Sequence, residues 1–182
     1  MPIRPTTCLR SLLISALILH AAENTGRRDL KAATEVPGYP CAAGYAWFFG
    51  DGRLSSCSVS RDTAFGELTV PAGSEIYLTA DGKPRFVFLS HDAHVGGYFC
   101  RGGKRTWSTA LYPDGKLKTC WLAADSVIDG VPCVRAGFAA DVFGGGAQTE
   151  FHDDGRLAAC KLARGATVGG RAYRRGDHLR LN

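Results

Sequence analysis

Four of the five Asp-Gly dipeptides in this chain share one setting: Asp51-Gly52, Asp81-Gly82, Asp114-Gly115 and Asp154-Gly155, spaced 30, 33 and 40 residues apart. Phe48, Leu78, Leu111 and Phe151 stand three residues before each Asp, and Arg53, Lys83, Lys116 and Arg156 follow each Gly. Six residues past each Asp comes Cys57, Val87, Cys120 or Cys160, and two further on Val59, Leu89, Leu122 or Leu162. Agreement at this many positions makes the chain a tandem repeat. Each Asp-Gly reads as a hairpin turn, because Gly takes the positive φ that a Cβ penalises and Asp bonds back to the backbone. The flanks are rich in β-branched and aromatic residues, as in Thr106–Tyr112 and Lys116–Leu122. No sustained helical period interrupts them.

A lone hairpin cannot bury enough surface to persist, whereas four in series can. The expected fold is therefore all-β: four tandem β-hairpin repeats in a stacked single-layer array, with a small barrel or sandwich as the alternative. Alternation along the third unit places Cys120 and Leu122 on one face and Leu117, Thr119 and Trp121 on the other. Pro84 suggests an edge or a bulge in the second unit. Thr34–Gly44 and Gly137–Gly146 read as loops, the latter an insertion that lengthens the last spacing.

A second block also recurs. Val36-Pro37-Gly38-Tyr39-Pro40-Cys41 matches Val95-Gly96-Gly97-Tyr98-Phe99-Cys100 and Ile128-Asp129-Gly130-Val131-Pro132-Cys133. Val168-Gly169-Gly170-Arg171-Ala172-Tyr173 matches with Tyr in the Cys position. The cysteines thus occupy two repeat slots: Cys41 and Cys57, Cys100 and Cys120, Cys133 and Cys160. The second unit has Val70 and Val87, losing both together. Six cysteines allow fifteen pairings. Joint loss within a unit favours three intra-unit disulfides, Cys41–Cys57, Cys100–Cys120 and Cys133–Cys160.

The seventh cysteine, Cys8, lies in an N-terminal stretch with the layout of a secretory signal peptide. Arg4 and Arg10 precede a short apolar run, Leu12–Leu19, and small residues follow at Ala21 and Ala22. Residues 1–22 are expected to be a signal peptide, 23–35 a linker and 36–182 the repeat domain. No transmembrane span is expected after processing. Processing would leave 20 basic against 17 acidic side chains, a mild +3. Arg171, Arg174, Arg175 and Arg180 cluster near the end as a solvated group, and no specific nucleic acid is expected as a partner. The address is periplasmic or secreted, where disulfides persist.

Few residues suggest chemistry. His91-Asp92-Ala93-His94, with His152 as a third ligand, is the most metal-like set and would make the chain a metal-dependent hydrolase. It aligns with Ala124-Asp125-Ser126-Val127, a plain turn, so Asp92 and Asp125 are expected to cap backbone amides. No Ser sits in a Gly-x-Ser-x-Gly setting, Asp153-Asp154 lies in a turn, and Gly144–Gly146 lacks the Lys of a phosphate loop. No cofactor is expected. Trp47, Trp107, Tyr112 and Trp121 are the candidate binding residues, able to stack sugars or a partner chain; cross-strand packing is their ordinary role.

Leu111-Tyr112-Pro113-Asp114-Gly115-Lys116-Leu117-Lys118 resembles the hairpin unit of MORN-type repeat proteins. The stretch from Cys120 to Cys133 resembles repeats of uncharacterised secreted bacterial proteins. The resemblance covers roughly residues 36–182 and departs from the standard unit, which is shorter and lacks Cys. It implies β-hairpin stacking and a partner-binding surface without catalytic residues. The expected function is that of an exported, non-enzymatic binding or structural module, its partner a protein or an envelope polysaccharide. A carbohydrate-binding module is the alternative from a different class.

Overall fold

The structure is a computed structural model and describes residues 24–137 and 148–181. The signal segment lies outside the described residues, as does most of the Gly137–Gly146 loop. Every regular element described is a strand.

Two kinds of hairpin alternate along the chain. The long strands are β1 (Asn24–Leu30), β4 (Gly44–Phe49), β5 (Leu54–Ser58), β8 (Glu75–Leu78), β9 (Pro84–Phe88), β12 (Ser108–Leu111), β13 (Leu117–Cys120), β16 (Thr149–Phe151), β17 (Leu157–Lys161) and β20 (His178–Arg180). They form one open ten-stranded antiparallel sheet, ordered as in the sequence. The short strands pair two by two: β2 (Thr34–Val36) with β3 (Tyr39–Cys41), β6 (Thr63–Phe65) with β7 (Leu68–Val70), β10 (Ala93–Val95) with β11 (Tyr98–Cys100), β14 (Ser126–Ile128) with β15 (Val131–Cys133), and β18 (Ala166–Val168) with β19 (Arg171–Tyr173). The sheet is an array and does not close into a barrel.

Two expectations change here. The second recurring block is itself a hairpin, so Thr34–Gly44 contributes β2 and β3 instead of a loop. Within the stretch read as a linker, residues 24–30 form β1. Its polar sequence shows no alternation, but β1 pairs with β4 along its whole length and shields that edge.

The Asp-Gly turns are built as their sequence suggests. In the first, Gly52 N–H donates to Phe49 O at 2.9 Å and Phe49 N–H to Arg53 O at 2.8 Å. Gly52 sits at φ +83°, the left-handed position that completes such a loop. Asp51 Oδ1 accepts from Arg53 N–H at 3.0 Å, and its other oxygen pairs with the Arg53 guanidinium. The same ion pair recurs at Asp81–Lys83, Asp114–Lys116 and Asp154–Arg156. The basic residue after every Gly therefore neutralises the turn carboxylate. The Asx caps expected in the connecting loops are also present. Asp92 Oδ1 accepts from Gly102 N–H at 2.9 Å and Asp125 Oδ1 from Arg135 N–H at 2.8 Å. Asp62, with Ala72 N–H at 2.9 Å, is a third.

Every long hairpin carries a bulge at the same place. Trp47 faces Ser56 while Phe48 faces Leu54, leaving Ser55 extra; Arg85, Lys118 and Ala158 are extra in the same way. Pro84 stands beside one of four, so it does not cause it. The bulge corrects one assignment: inserting Lys118 turns Leu117 to the same side as Cys120, and Leu117 is buried.

The core lies between one face of the sheet and the short hairpins. On the sheet side a cross-strand row runs through Cys57, Ile76, Val87 and Thr109, and through Cys120 and Thr149 to Cys160 and Leu179. All of these are buried. From the short hairpins come Val36, Phe65, Val70, Val95, Ile128 and Val131. Cys41–Cys57 and Cys133–Cys160 are closed disulfides joining a short hairpin to the long hairpin that follows it. The third pair, Cys100 and Cys120, stands in the same two slots as buried thiols in mutual side-chain contact. The hydrogen bond that the Cys100 thiol makes to Cys120, with burial, drives it far above its ordinary pKa and keeps it protonated. Val70 and Val87 fill these slots in the second unit, and both are fully buried.

Candidate functional site: the open face of the sheet

Side chains alternate across a strand, so the neighbours of the buried row point to the other face. None of the described elements covers that face. In register across it lie Arg27, Trp47, Ser56, Tyr77, Phe86, Ala110, Thr119, Glu150, Ala159 and Arg180. A parallel row contains Tyr45, Ser58, Glu75, Phe88 and Ser108. Aromatic residues gather at the end nearer β1. Tyr45 is 60% exposed and Trp47 39%, while Tyr77, Phe86 and Phe88 are half-buried.

These rings hold one another. Tyr77 stacks on Phe86 with centroids 4.4 Å apart, and Phe88 meets both edge-on at 5.7 and 5.5 Å. The Tyr77 hydroxyl donates to Glu75 at 2.7 Å. Burial, then that bond, pushes the Tyr77 pKa up to about 12. The sign follows from the neutral phenol being the favoured form. Tyr77 contributes stability below the unfolded tyrosine range near 10, and that contribution is lost as pH rises through about 12. In a spectrophotometric titration Tyr77→Phe should remove a late phenolate transition and leave the earlier ones. Loss of an early transition instead would contradict the Glu75 contact.

The acids of the open face are paired. Glu75 is bound by Arg105 at 2.7 Å, Glu150 lies 3.5 Å from Arg180, and Asp29 pairs with Lys31. Three cations are left over. Arg27 lies over Tyr45 at 4.1 Å, Arg85 over Phe86 at 5.5 Å and Lys118 over Tyr112 at 5.4 Å. All three are exposed and make no ion pair among the described residues. Two of them, Arg85 and Lys118, are bulge residues. In the β8–β9 and β12–β13 hairpins the bulge thus adds an exposed cation, whereas Ser55 at the first bulge is buried.

The four candidate aromatics are not gathered in one place. Trp47 is central to the open face. Tyr112 lines a shallow 340 Å³ cleft nearer β20, with Lys118, Glu150, His152 and Arg180, and its hydroxyl donates to Phe151 O at 2.8 Å. Trp121 is half-buried, its indole N–H without a partner among the described residues. Trp107 is buried on the core side, with Arg101 and Lys104 over its ring at 4.8 and 4.9 Å. The three histidines are apart as well: His91 bonds Ser90 Oγ at 2.9 Å, His94 tilts on Phe99, and His152 lies at a hairpin turn. Among the described residues no group of three or more His, Cys, Asp or Glu is placed to hold a metal ion.

Sequence reasoning missed Tyr45, Tyr77, Phe86, Phe88, Arg27, Arg85 and Lys118. A signal for two of them was present: the residues flanking the Val87 slot are Phe86 and Phe88, where the first unit has Ser56 and Ser58. Comparison with known protein families, characterised proteins and solved structures finds no match for this chain.

Proposed function

We propose that this chain is an exported, non-enzymatic binding module whose working surface is the open face of its ten-stranded sheet. One observation carries the reading. The short hairpins protect one face, while the other presents Tyr45, Trp47, Tyr77, Phe86 and Phe88 to solvent among unpaired cations. Exposed aromatic clusters with Arg at the rim are characteristic of binding surfaces. The repeat supplies a stiff platform and the disulfides suit it to an oxidising compartment. The likeness to MORN-type hairpins belongs to the same proposal, with the aromatic, Asp-Gly and basic positions of each long hairpin in support.

Export is tested by fractionating cells and sequencing the N-terminus. Mature protein in the periplasm or medium, beginning near residue 23, is the expected result; full-length protein confined to the cytosol would contradict it. Binding is tested by capture from an envelope extract beside a glycan array, with wild type and Trp47→Ala compared. Trp107→Ala is unsuitable, because Trp107 is part of the packed interior. Carbohydrate binding is favoured within this reading by Trp47, whose indole projects from the face.

A further inference from the structure

We propose that the open face binds an acidic polysaccharide, a chain of sugar rings carrying carboxylates. The proposal rests on the binding role given above to that face and names the chemistry of its ligand. Charge is the first argument. Every acid on the face has a basic partner, while Arg27, Arg85 and Lys118 have none among the described residues. The surplus is positive and distributed over β1, β9 and β13, so the complementary ligand is an extended polyanion. A compact anion would need the cations to converge on one point.

The second argument separates a glycan from an acidic peptide. An extended peptide joins a sheet at its edge, where backbone groups satisfy its own N–H and C=O. A sheet face offers none, and a peptide laid across aromatic rings would leave those groups desolvated and unpaired. A pyranose ring has an apolar C–H face that can rest on an indole while its hydroxyls stay in water. The face supplies that combination in Trp47, projecting beside Tyr45, and in the half-buried Tyr77, Phe86 and Phe88 cluster, with Ser56 buried between them. Neighbouring strands lie about 4.8 Å apart, so Trp47 on β4 and Tyr77 on β8 stand about 10 Å apart across β5. Two aromatic groups at that spacing form a line along which the rings of one chain can lie.

The test uses the mature chain and polygalacturonate, with dextran as the neutral polymer and poly-glutamate as the acidic peptide, followed by titration calorimetry and tryptophan fluorescence. Saturable binding of polygalacturonate is expected, with dextran and poly-glutamate at least tenfold weaker. Trp47→Ala should weaken binding at least tenfold. The Arg27→Gln, Arg85→Gln, Lys118→Gln triple variant should do the same and flatten its salt dependence. All four sites are exposed, and thermal melts confirm folding of the variants. Poly-glutamate binding as tightly as polygalacturonate, dextran binding as tightly, or Trp47→Ala leaving affinity unchanged would each overturn the proposal, as would no binding. An envelope partner captured by the wild type and not by Trp47→Ala, without polygalacturonate binding, would overturn the acidic glycan and leave the open face as the binding surface. Failure of both removes both.

Discussion

Gly115→Ala should lower the melting temperature by about 10 °C, a loss of about 3–4 kcal/mol for a domain of this size. Gly115 closes the third Asp-Gly turn at φ +90°. Its Cα packs against Gly66 in the β6–β7 turn, so two backbones meet with no side chain between them. A Cβ on Gly115 would stand 2.3 Å from Gly66 Cα and 2.6 Å from Glu67 N. Backbone must therefore move, which adds an overpacking cost of about 1–3 kcal/mol to the roughly 1–2 kcal/mol for a left-handed alanine. Gly66→Ala meets the same atoms from the other side and should behave alike. Gly130→Ala is the control. Its φ of +81° is equally left-handed, but nothing lies within 4 Å of its Cβ position, so only the smaller conformational cost is expected. Urea melts of the three variants check this. Equal losses in Gly115→Ala and Gly130→Ala would show that the turn-to-turn contact carries no weight.

Removing both closed disulfides should unfold the chain or leave it barely stable. The loops span 16 and 27 residues. Loop entropy gives about 3 kcal/mol for the shorter and about 3.5 for the longer. The two lie in the first and fourth units, far enough apart to add. Their sum rivals a typical total stability of about 5–15 kcal/mol. Cys41→Ala/Cys57→Ala and Cys133→Ala/Cys160→Ala should each shift the urea midpoint, and the quadruple variant should show no cooperative transition at 37 °C. The converse is Val70→Cys/Val87→Cys, which puts cysteines into the two slots the second unit fills with valine. A new disulfide with a gain of up to about 3 kcal/mol is expected. Non-reducing peptide mapping of oxidised protein should also recover Cys100 with Cys120. A Cys57–Cys100 or Cys120–Cys133 peptide would contradict the unit-by-unit arrangement.

The cysteine slots and turns were legible in the sequence because each repeats in identical context. Asp51, Asp81, Asp114 and Asp154 share neighbours, and the valines of the second unit reveal a slot by losing both cysteines at once. The short hairpins were half legible. Val95-Gly96-Gly97-Tyr98 was aligned with its counterparts, yet three-residue strands carry too little alternation to be recognised as strands. The side assigned to Leu117 failed for a definite reason: a bulge inverts alternation, and nothing in Lys118-Thr119-Cys120 marks the extra residue. The open face was the least legible part. Trp107 and Trp121 drew attention by size, but exposure depends on which side of the strand a ring takes. Only the register, which sets Trp47 opposite Ser56 and Phe86 opposite Tyr77, determines that.

Both closed cross-links stay inside one unit, joining a short hairpin to the long hairpin that follows it. Among the described residues no bond of that kind staples one unit to the next. The array can therefore be shortened like a bracelet. Excising residues 60–89 would join Val59 to Ser90, delete β6 to β9, and bring β5 beside β12, a strand of the same class as the β8 it replaces. No cysteine is orphaned, and the platform loses four strands' worth of covering and width together with Tyr77, Phe86 and Phe88. Width and the Tyr77–Phe86–Phe88 cluster are thus carried by the same removable piece, and a lineage could change the aromatic content of the open face by changing how many links it keeps.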